Sequence, residues 1–488
     1  MEVPITELPI THPTKEMKMM AYSLLNHIQG KNGSRWAQFV RETGTDRMLI
    51  VAIDAAKFTH KAMICTFYGD VLVKPFEFDA SLTGLEKVKE HIQTEKNRLG
   101  MKEVVVGVET TGHYYEDLVR RCHSEGYHVR ILNAATTAQE RQALLNWSKT
   151  DNLDLMAIVQ SIINGRGTSS ELSTGSVHNL QKLTRARREL VGERTSTENL
   201  IRVYVDHIFR EFQGKSMWIN GKREHVEPFS KLFGKAPRYF MRHCLHPSDI
   251  LTLGEKGLRE LSIRENLKLR DKSIQILLEF AQNSISQPKE LLETEQFLLI
   301  QKLDQLELLD KQIQLLERKI EDLFIQTEGA VILSVPGIGV VTGAELYAEM
   351  GDISDFDHAG QLIKMAGTNP IVKQSGGKRP SYFGVSKQGR RTFRNVTYQV
   401  GRSLAVNNPE MKQKYLAFKE RGKHPGQAYI ALGNRMIRLA FSMIKHQSLY
   451  QTNQPNYVLI DEITKKIHSP NVKRFYEKFV VSVVSKSA

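Results

Sequence analysis

Cysteine is scarce in this chain. Cys65, Cys122 and Cys244 are far apart and odd in number, which excludes a disulfide framework and any closely spaced zinc site. They are expected to be buried small side chains in a reducing compartment. Long apolar runs are also missing. No stretch approaches the roughly 20 residues that cross a bilayer, and the first residues hold no signal-peptide core. A soluble, cytoplasmic, DNA-associated protein with no membrane partner is the expectation. Acidic residues are in deficit, 54 against 68 lysines and arginines, for a net charge of +14. They vanish altogether from His358 to Pro409, a segment carrying Lys364, Lys373, Lys378, Arg379, Lys387, Arg390, Arg391, Arg394 and Arg402. Ordinary solvated surfaces mix both signs. This segment is therefore expected to lie against phosphates, with nucleic acid the first candidate partner.

The acids that are present fall in an informative order. Leu49, Ile50, Val51 and Ile53 read as a buried strand ending on Asp54. Val104-Val105-Val106-Gly107-Val108 reads as a second, ending on Glu109. Asp151 and Asp154 open an apolar helical stretch and share one of its faces. Strands at Ala62–Tyr68, Val71–Val73 and His128–Leu132, with helices near Leu82–Arg98 and Tyr115–Glu125, complete an α/β unit with a mixed sheet of the ribonuclease H kind. Each acid alone has a structural reading: turn former, solvated charge, helix cap or first-turn carboxylate. Together they are the oxygen ligands that a hard divalent cation needs for phosphodiester chemistry: Mg²⁺, with Mn²⁺ as the alternative.

Further along, Gly165-Arg166-Gly167-Thr168-Ser169-Ser170 reads as a hinge. The helix beyond it is basic, with Lys182, Arg185, Arg187, Arg188, Arg194 and Arg202, a solvated face or a phosphate contact. One helical region is expected from Asp249 to Asn283. Leu292, Leu299, Leu306, Ile313 and Ile320 recur every seven residues, the seam of a coiled coil or of a long antiparallel helix pair. Val335-Pro336-Gly337-Ile338-Gly339 before a helix at Val340–Met350 is similar to helix-hairpin-helix turns, so Gly337 and Gly339 are candidate phosphate contacts. The first 47 residues, with a short helix over Met17–Ile28, and the tail with apolar runs at Val458–Ile460 and Phe479–Val484, suggest no function.

The stretches "IDAAKFTH", "VETTGHY" and "SKTDNLDL" resemble the Asp-Glu-Asp-Asp signature of the IS110-family transposases, and "GTNPIVKQSGGKRPSYFGVSKQGRRTFR" resembles that family's C-terminal domain. The resemblance implies a RuvC-like domain over 48–165, a coiled-coil linker over 289–328 and a basic, mainly α serine-bearing domain over 329–450. A leader at 1–47, a helical insert over 166–288 and a tail at 451–488 lie outside it. It also implies that Asp54, Glu109, Asp151 and Asp154 are catalytic metal ligands and that Ser375 attacks a DNA phosphodiester to form a covalent 5′-linked intermediate. Gly337, Gly339, Lys373, Lys378, Arg379, Lys387, Arg390, Arg391 and Arg394 would contact nucleic acid. Implied partners are double-stranded DNA at element ends and target, a structured guide RNA, and further copies of the chain as a dimer or tetramer. The rival readings are a Holliday-junction resolvase-like metal nuclease, which needs no serine, and a non-catalytic nucleic-acid-binding protein.

Overall fold

The structure is a computed structural model that describes residues 33–110, 112–143, 151–167, 175–373, 381–450, 463 and 465–467. The chain divides into two compact units, Met1–Thr174 and Gly175–Ala488.

The first unit opens with α1 (Gly33–Thr43) and continues as β1 (Met48–Asp54), β2 (Thr59–Thr66), β3 (Val71–Asp79), α2 (Leu82–Leu99), β4 (Glu103–Glu109), α3 (Tyr115–Ser124), β5 (His128–Leu132), α4 (Ala134–Ala143) and α5 (Asp151–Ile163). The sheet order is β3-β2-β1-β4-β5. β1 is antiparallel to β2 and parallel to β4, and β4 is parallel to β5. This mixed five-stranded sheet with flanking helices fits a ribonuclease H-like domain, as expected.

Alternation along the strands sends successive side chains to opposite faces. Leu49, Val51, Ile53, Val104, Val106 and Val108 join Val88 and Ile92 of α2 and Leu118 and Val119 of α3 in one core. Ile50, Ala52 and Val105 join Trp36 of α1 and Leu155, Ile158 and Ile162 of α5 in another. Trp36 is buried there, so the supposed leader contributes to the first unit's core. The expected helix at Met17–Ile28 lies outside the described residues.

Two features seat α5. Gly107 on β4 has no side chain where one would collide: a Cβ there would stand 2.3 Å from Ile162 Cδ1 and 3.0 Å from Ile158 Cγ2. Beyond the helix, Arg130 of β5 is almost fully buried, stacks over Trp36 at 4.7 Å, and donates to the carbonyls of Gly165, Arg166 and Gly167 at 2.6–3.2 Å. Residues 165–167, expected as a hinge, are therefore clamped. Gly165 and Gly167 hold positive φ, and a Cβ on either would strike Trp36 or β5.

The second unit contains α6 (Gly175–Phe209), β6 (Lys215–Ile219), β7 (Lys222–Val226), α7 (Lys235–His243), α8 (Pro247–Arg264), α9 (Asp271–Gln282) and α10 (Glu293–Phe324). These are followed by α11 (Val340–Met350), α12 (Ala359–Ala366), β8 (Pro370–Lys373), β9 (Ser381–Val385), α13 (Arg391–Asn407), α14 (Pro409–Glu420) and α15 (Pro425–His446). The helical region expected over 249–283 is present as α8, kinked at Gly254, and α9, separated by Asn266 and Lys268 in left-handed backbone. The heptad seam is real, and Leu299, Leu306, Ile313 and Ile320 are buried. Its packing partner is α6 of the same chain, antiparallel, since Arg187 meets Glu317 and Arg194 meets Asp310.

Ion pairs with α10 and α11 engage most of the arginines of the basic helix α6, expected as a solvated face or a phosphate contact. Arg185 is bonded to Glu349 at 2.9 Å, Arg188 to Glu345, and Arg194 to Asp310 at 2.6 Å. Arg202 lies over Phe233. Toward the C-terminus α13 and α15 cross almost backbone to backbone: a Cβ on Gly401 would be 1.9 Å from Tyr429 O, and one on Gly433 2.2 Å from Thr397 O. Of the tail, Ile463 and Ile467 are buried in this core, and Lys466 donates to Leu333 O at 2.8 Å. The apolar runs at 458–460 and 479–484 lie outside the described residues.

Two outcomes follow. Gly107→Val is expected to destabilise the first unit by about 1–3 kcal/mol through overpacking, with partial rescue by Ile162→Ala, read by thermal unfolding of the single and double variants. In the second unit, burial alone would raise the Asp310 carboxyl, but hydrogen bonds from Arg194 and Arg238 hold it below its ordinary value. A lowered folded pKa gives stability that is complete above the unfolded value and is lost as pH falls through the folded one. Asp310→Asn should therefore lower the thermal midpoint at neutral pH, and its difference from the parent should shrink as the pH is taken below the ordinary carboxylate range.

Candidate functional site

The alternation that builds the two cores also fixes where the acids lie. Asp54 continues the series Ile50, Ala52, and Glu109 continues Val105, Gly107; both series face α5. Ile53 is registered with Val108, so the two acids close neighbouring parallel strands at the same end of the sheet. Asp151 and Asp154 occupy the first turn of α5, which packs on that face. Four carboxylates from three separate segments thus share one face at one end of the sheet's central strands.

Three residues that the sequence did not single out hold them. Lys61 on β2 is registered opposite Asp54, and its Nζ lies 3.5 Å from Asp151 Oδ2. Thr137 Oγ1 donates to Glu109 Oε2 at 2.6 Å. Arg141 pairs with Asp154, which is nine-tenths buried. Thr137 and Arg141 are one turn apart on α4, so a single helical face bridges the strand acid and the helix acid. Their four-residue spacing was the available signal, but it has no meaning until α4 is known to lie over the strand ends.

The donor set is oxygen-only, the chemistry a hard divalent cation prefers. In this arrangement Asp151, Glu109 and Asp154 are engaged by Lys61, Thr137 and Arg141 respectively, and no group of three or more His, Cys, Asp or Glu among the described residues is close enough together to hold a metal ion. Beside the strand ends a cleft of about 620 Å³ is lined by Lys57, His60, His113, Tyr114 and Arg121, among others. Burial lowers the His60 pKa, and its Nδ1 accepts from the Ala56 N–H at 3.1 Å.

The second unit presents the basic segment. Lys387, Arg390 and Arg391 are exposed around the N-terminus of α13. A helix N-terminus is already electropositive, and cations placed there with no acid in the first turn favour an anion. Arg394 plays a different part: its Nη1 donates to Lys387 O at 3.0 Å and to the carbonyls of Ala366 and Gly389. It braces the turn that displays Lys387. Gly389 is needed in that turn because a Cβ would lie 2.4 Å from Met365 O. Ser386 ties the same turn to Asn369 at 2.6 Å.

At the earlier glycine turn, Gly337 takes positive φ, and its carbonyl accepts from Ser403 at 2.6 Å. Gly339 caps α11 and is exposed, but a 3-10 turn rather than an α-helix precedes this element, so it is not a full helix-hairpin-helix. Lys373 closes β8. Ser375, Lys378 and Arg379 lie outside the described residues.

The different roles of neighbouring arginines can be separated. Arg391→Gln is expected to lower the slope of log affinity against log salt for duplex DNA by about 0.9, one phosphate contact, without altering thermal stability. Arg394→Gln is expected to lower the unfolding midpoint, since it leaves carbonyls of the turn without their donor. Filter binding across a salt series, with melting curves on both variants, checks the pair.

Comparison with known proteins agrees with this layout. A family model described as "Transposase", carrying the Asp-Glu-Asp-Asp label, matches residues 51–210, and the model for the "Transposase IS116/IS110/IS902 family" matches 329–416. An uncharacterized protein of insertion element IS116 from Streptomyces clavuligerus is 24% identical over 410 residues, covering 83% of this chain and 96% of that protein. The transposase for insertion sequence element IS1111A of Coxiella burnetii is 28% identical over 123 residues, 25% of this chain and 34% of its own length. The pilin gene-inverting protein of Moraxella bovis is 24% identical over 117 residues, 24% of this chain and 36% of its own. With both domain models matched in order, and one relative aligned along nearly its whole length, the chain belongs to the IS110 family of transposases.

Proposed function

We propose that this transposase cuts and rejoins DNA strands with Mg²⁺ held by Asp54, Glu109, Asp151 and Asp154, and with Ser375 as the nucleophile. The observation that carries the reading is the common face of the four acids at one end of the sheet's central strands, with Thr137 and Arg141 bridging two of them. Holding the ion requires Asp151 and Asp154 to give up Lys61 and Arg141. Bound there, Mg²⁺ supplies positive charge to the phosphate oxygens and eases ionisation of a hydroxyl.

The chain's own part is to position and to move protons. The Ser375 hydroxyl is a weak nucleophile until a general base takes its proton. Its oxygen then bonds to phosphorus, the P–O3′ bond breaks, and the leaving 3′ oxygen takes up a proton. The product is a 5′-phosphoserine and a free 3′-hydroxyl. Attack of a 3′-hydroxyl on that phosphoserine reseals a strand and restores the serine, so no nucleotide triphosphate is consumed. Lys387, Arg390 and Arg391 would hold backbone phosphates. Within the same proposal, the substrates are element ends and a target duplex, a structured RNA encoded by the element selects them, and the working form is a homo-oligomer.

The test is cleavage of a supercoiled substrate carrying the element ends, with Mg²⁺ and RNA from the flanking region, run on denaturing gels before and after protease. The expected result is a protease-sensitive protein–DNA adduct that Ser375→Ala abolishes and that Asp54→Ala or Asp154→Ala reduces by at least about 10²-fold. Cleavage that persists in Ser375→Ala with no adduct would instead establish a metal nuclease that uses water.

A further inference from the structure

The two family models leave residues 211–328 between them, and within that span stands the two-stranded β6–β7 ribbon. Its turn is Asn220-Gly221, both at positive φ (49° and 74°), a type I′ geometry that matches the twist of the strands and keeps the ribbon stiff. Register assigns the faces. Met217 and Val226 pack on the core of the helices around them. The opposite face carries Ser216 beside His225 and Trp218 beside Arg223, and all four are exposed. Trp218 is 76% exposed, unlike the buried Trp36.

Trp218 on the outer face of the ribbon presents an aromatic plane on which no ring among the described residues stacks. The hydrophobic effect disfavours that state, and solubility alone would be served by a polar residue. Its surroundings are chosen by charge. The outward face has no acid, Arg223 is the cross-strand neighbour of Trp218, and His225 stands exposed on the same face. The ribbon's one acid, Glu224, is paired with Met217 and so belongs to the other face, as do Lys215 and Lys222, paired with Val226 and Ile219. A flat apolar ring beside a guanidinium is an arrangement that stacks an unpaired base while neutralising its phosphate. In intact duplex the bases are already stacked on one another, so the ring has no such surface to meet.

We propose that the outer face of the β6–β7 ribbon is a docking surface for unpaired DNA, with Trp218 stacking on a base and Arg223 contacting the adjoining phosphate. The choice of DNA rests on the family's substrate. The ribbon's role does not depend on how the strands are cut.

The test uses the full chain carrying Asp54→Ala and Ser375→Ala, so that failure here leaves the cleavage reading untouched. Binding is followed by fluorescence anisotropy on labelled oligothymidylate, a duplex of the same length and oligouridylate. Trp218→Ala is expected to weaken oligothymidylate binding about five- to a hundredfold, with duplex binding changed less than twofold. Trp218→Phe should retain most of the affinity, and Arg223→Gln should reduce the salt slope by about 0.7. Unchanged oligothymidylate binding in Trp218→Ala would overturn the proposal. A larger loss on oligouridylate would reassign the surface to RNA. A change in oligomeric mass without a change in DNA binding would make it an interface between copies of the chain.

Discussion

The close seating of α5 on β1 and β4 is the constraint on which the acidic site depends. The sheet places Asp54 and Glu109 on one face by alternation alone, but Asp151 and Asp154 reach that face only because a helix lies directly on it. Gly107 permits the approach, since any larger residue would meet Ile158 and Ile162. Arg130 secures the far end by filling the carbonyls of Gly165, Arg166 and Gly167. A buried guanidinium is costly unless its donors are used, and here they are spent on the turn that follows the helix. One small residue and one buried cation therefore set where two of the four carboxylates stand.

The same economy appears in the second unit, where positive charge does two distinct jobs. On α6 four arginines, Arg185, Arg187, Arg188 and Arg194, are structural: they tie the helix to Glu349, Glu317, Glu345 and Asp310, and their charge is paired within the chain. Around the start of α13 the cations have no acids in the local sequence, and Lys387, Arg390 and Arg391 are exposed. Net charge alone does not distinguish these cases. What separates them is whether carboxylates are supplied by a facing helix. Arg394 adds a third use, its Nη1 donating to backbone carbonyls of the turn that exposes Lys387.

The heptad seam on α10 illustrates how a correct pattern admits more than one partner. The period predicts a long helix with one apolar stripe, and Leu299, Leu306, Ile313 and Ile320 are buried as a stripe should be. Which helix covers them is a long-range choice, and α6, more than a hundred residues earlier, makes it through facing ion pairs. Likewise the Asn-Gly pair at 220–221 is a local hairpin signal, but which face of the β6–β7 ribbon is covered is decided by the helices around it.

The sequence by itself determined the order of elements in the first unit, the strand-end positions of Asp54 and Glu109, the shared turn of Asp151 and Asp154, and the acid-free segment. These follow from local periodicity, which is set by the geometry of strands and helices and needs no knowledge of neighbours. Only the tertiary structure decided that Lys61, Thr137 and Arg141 attend the acids, that four arginines of α6 are paired internally, that 165–167 is clamped, and that Trp218 faces outward. Each depends on which surface another element covers. That choice is made by packing and charge pairing between residues far apart in the chain, and no local pattern encodes it.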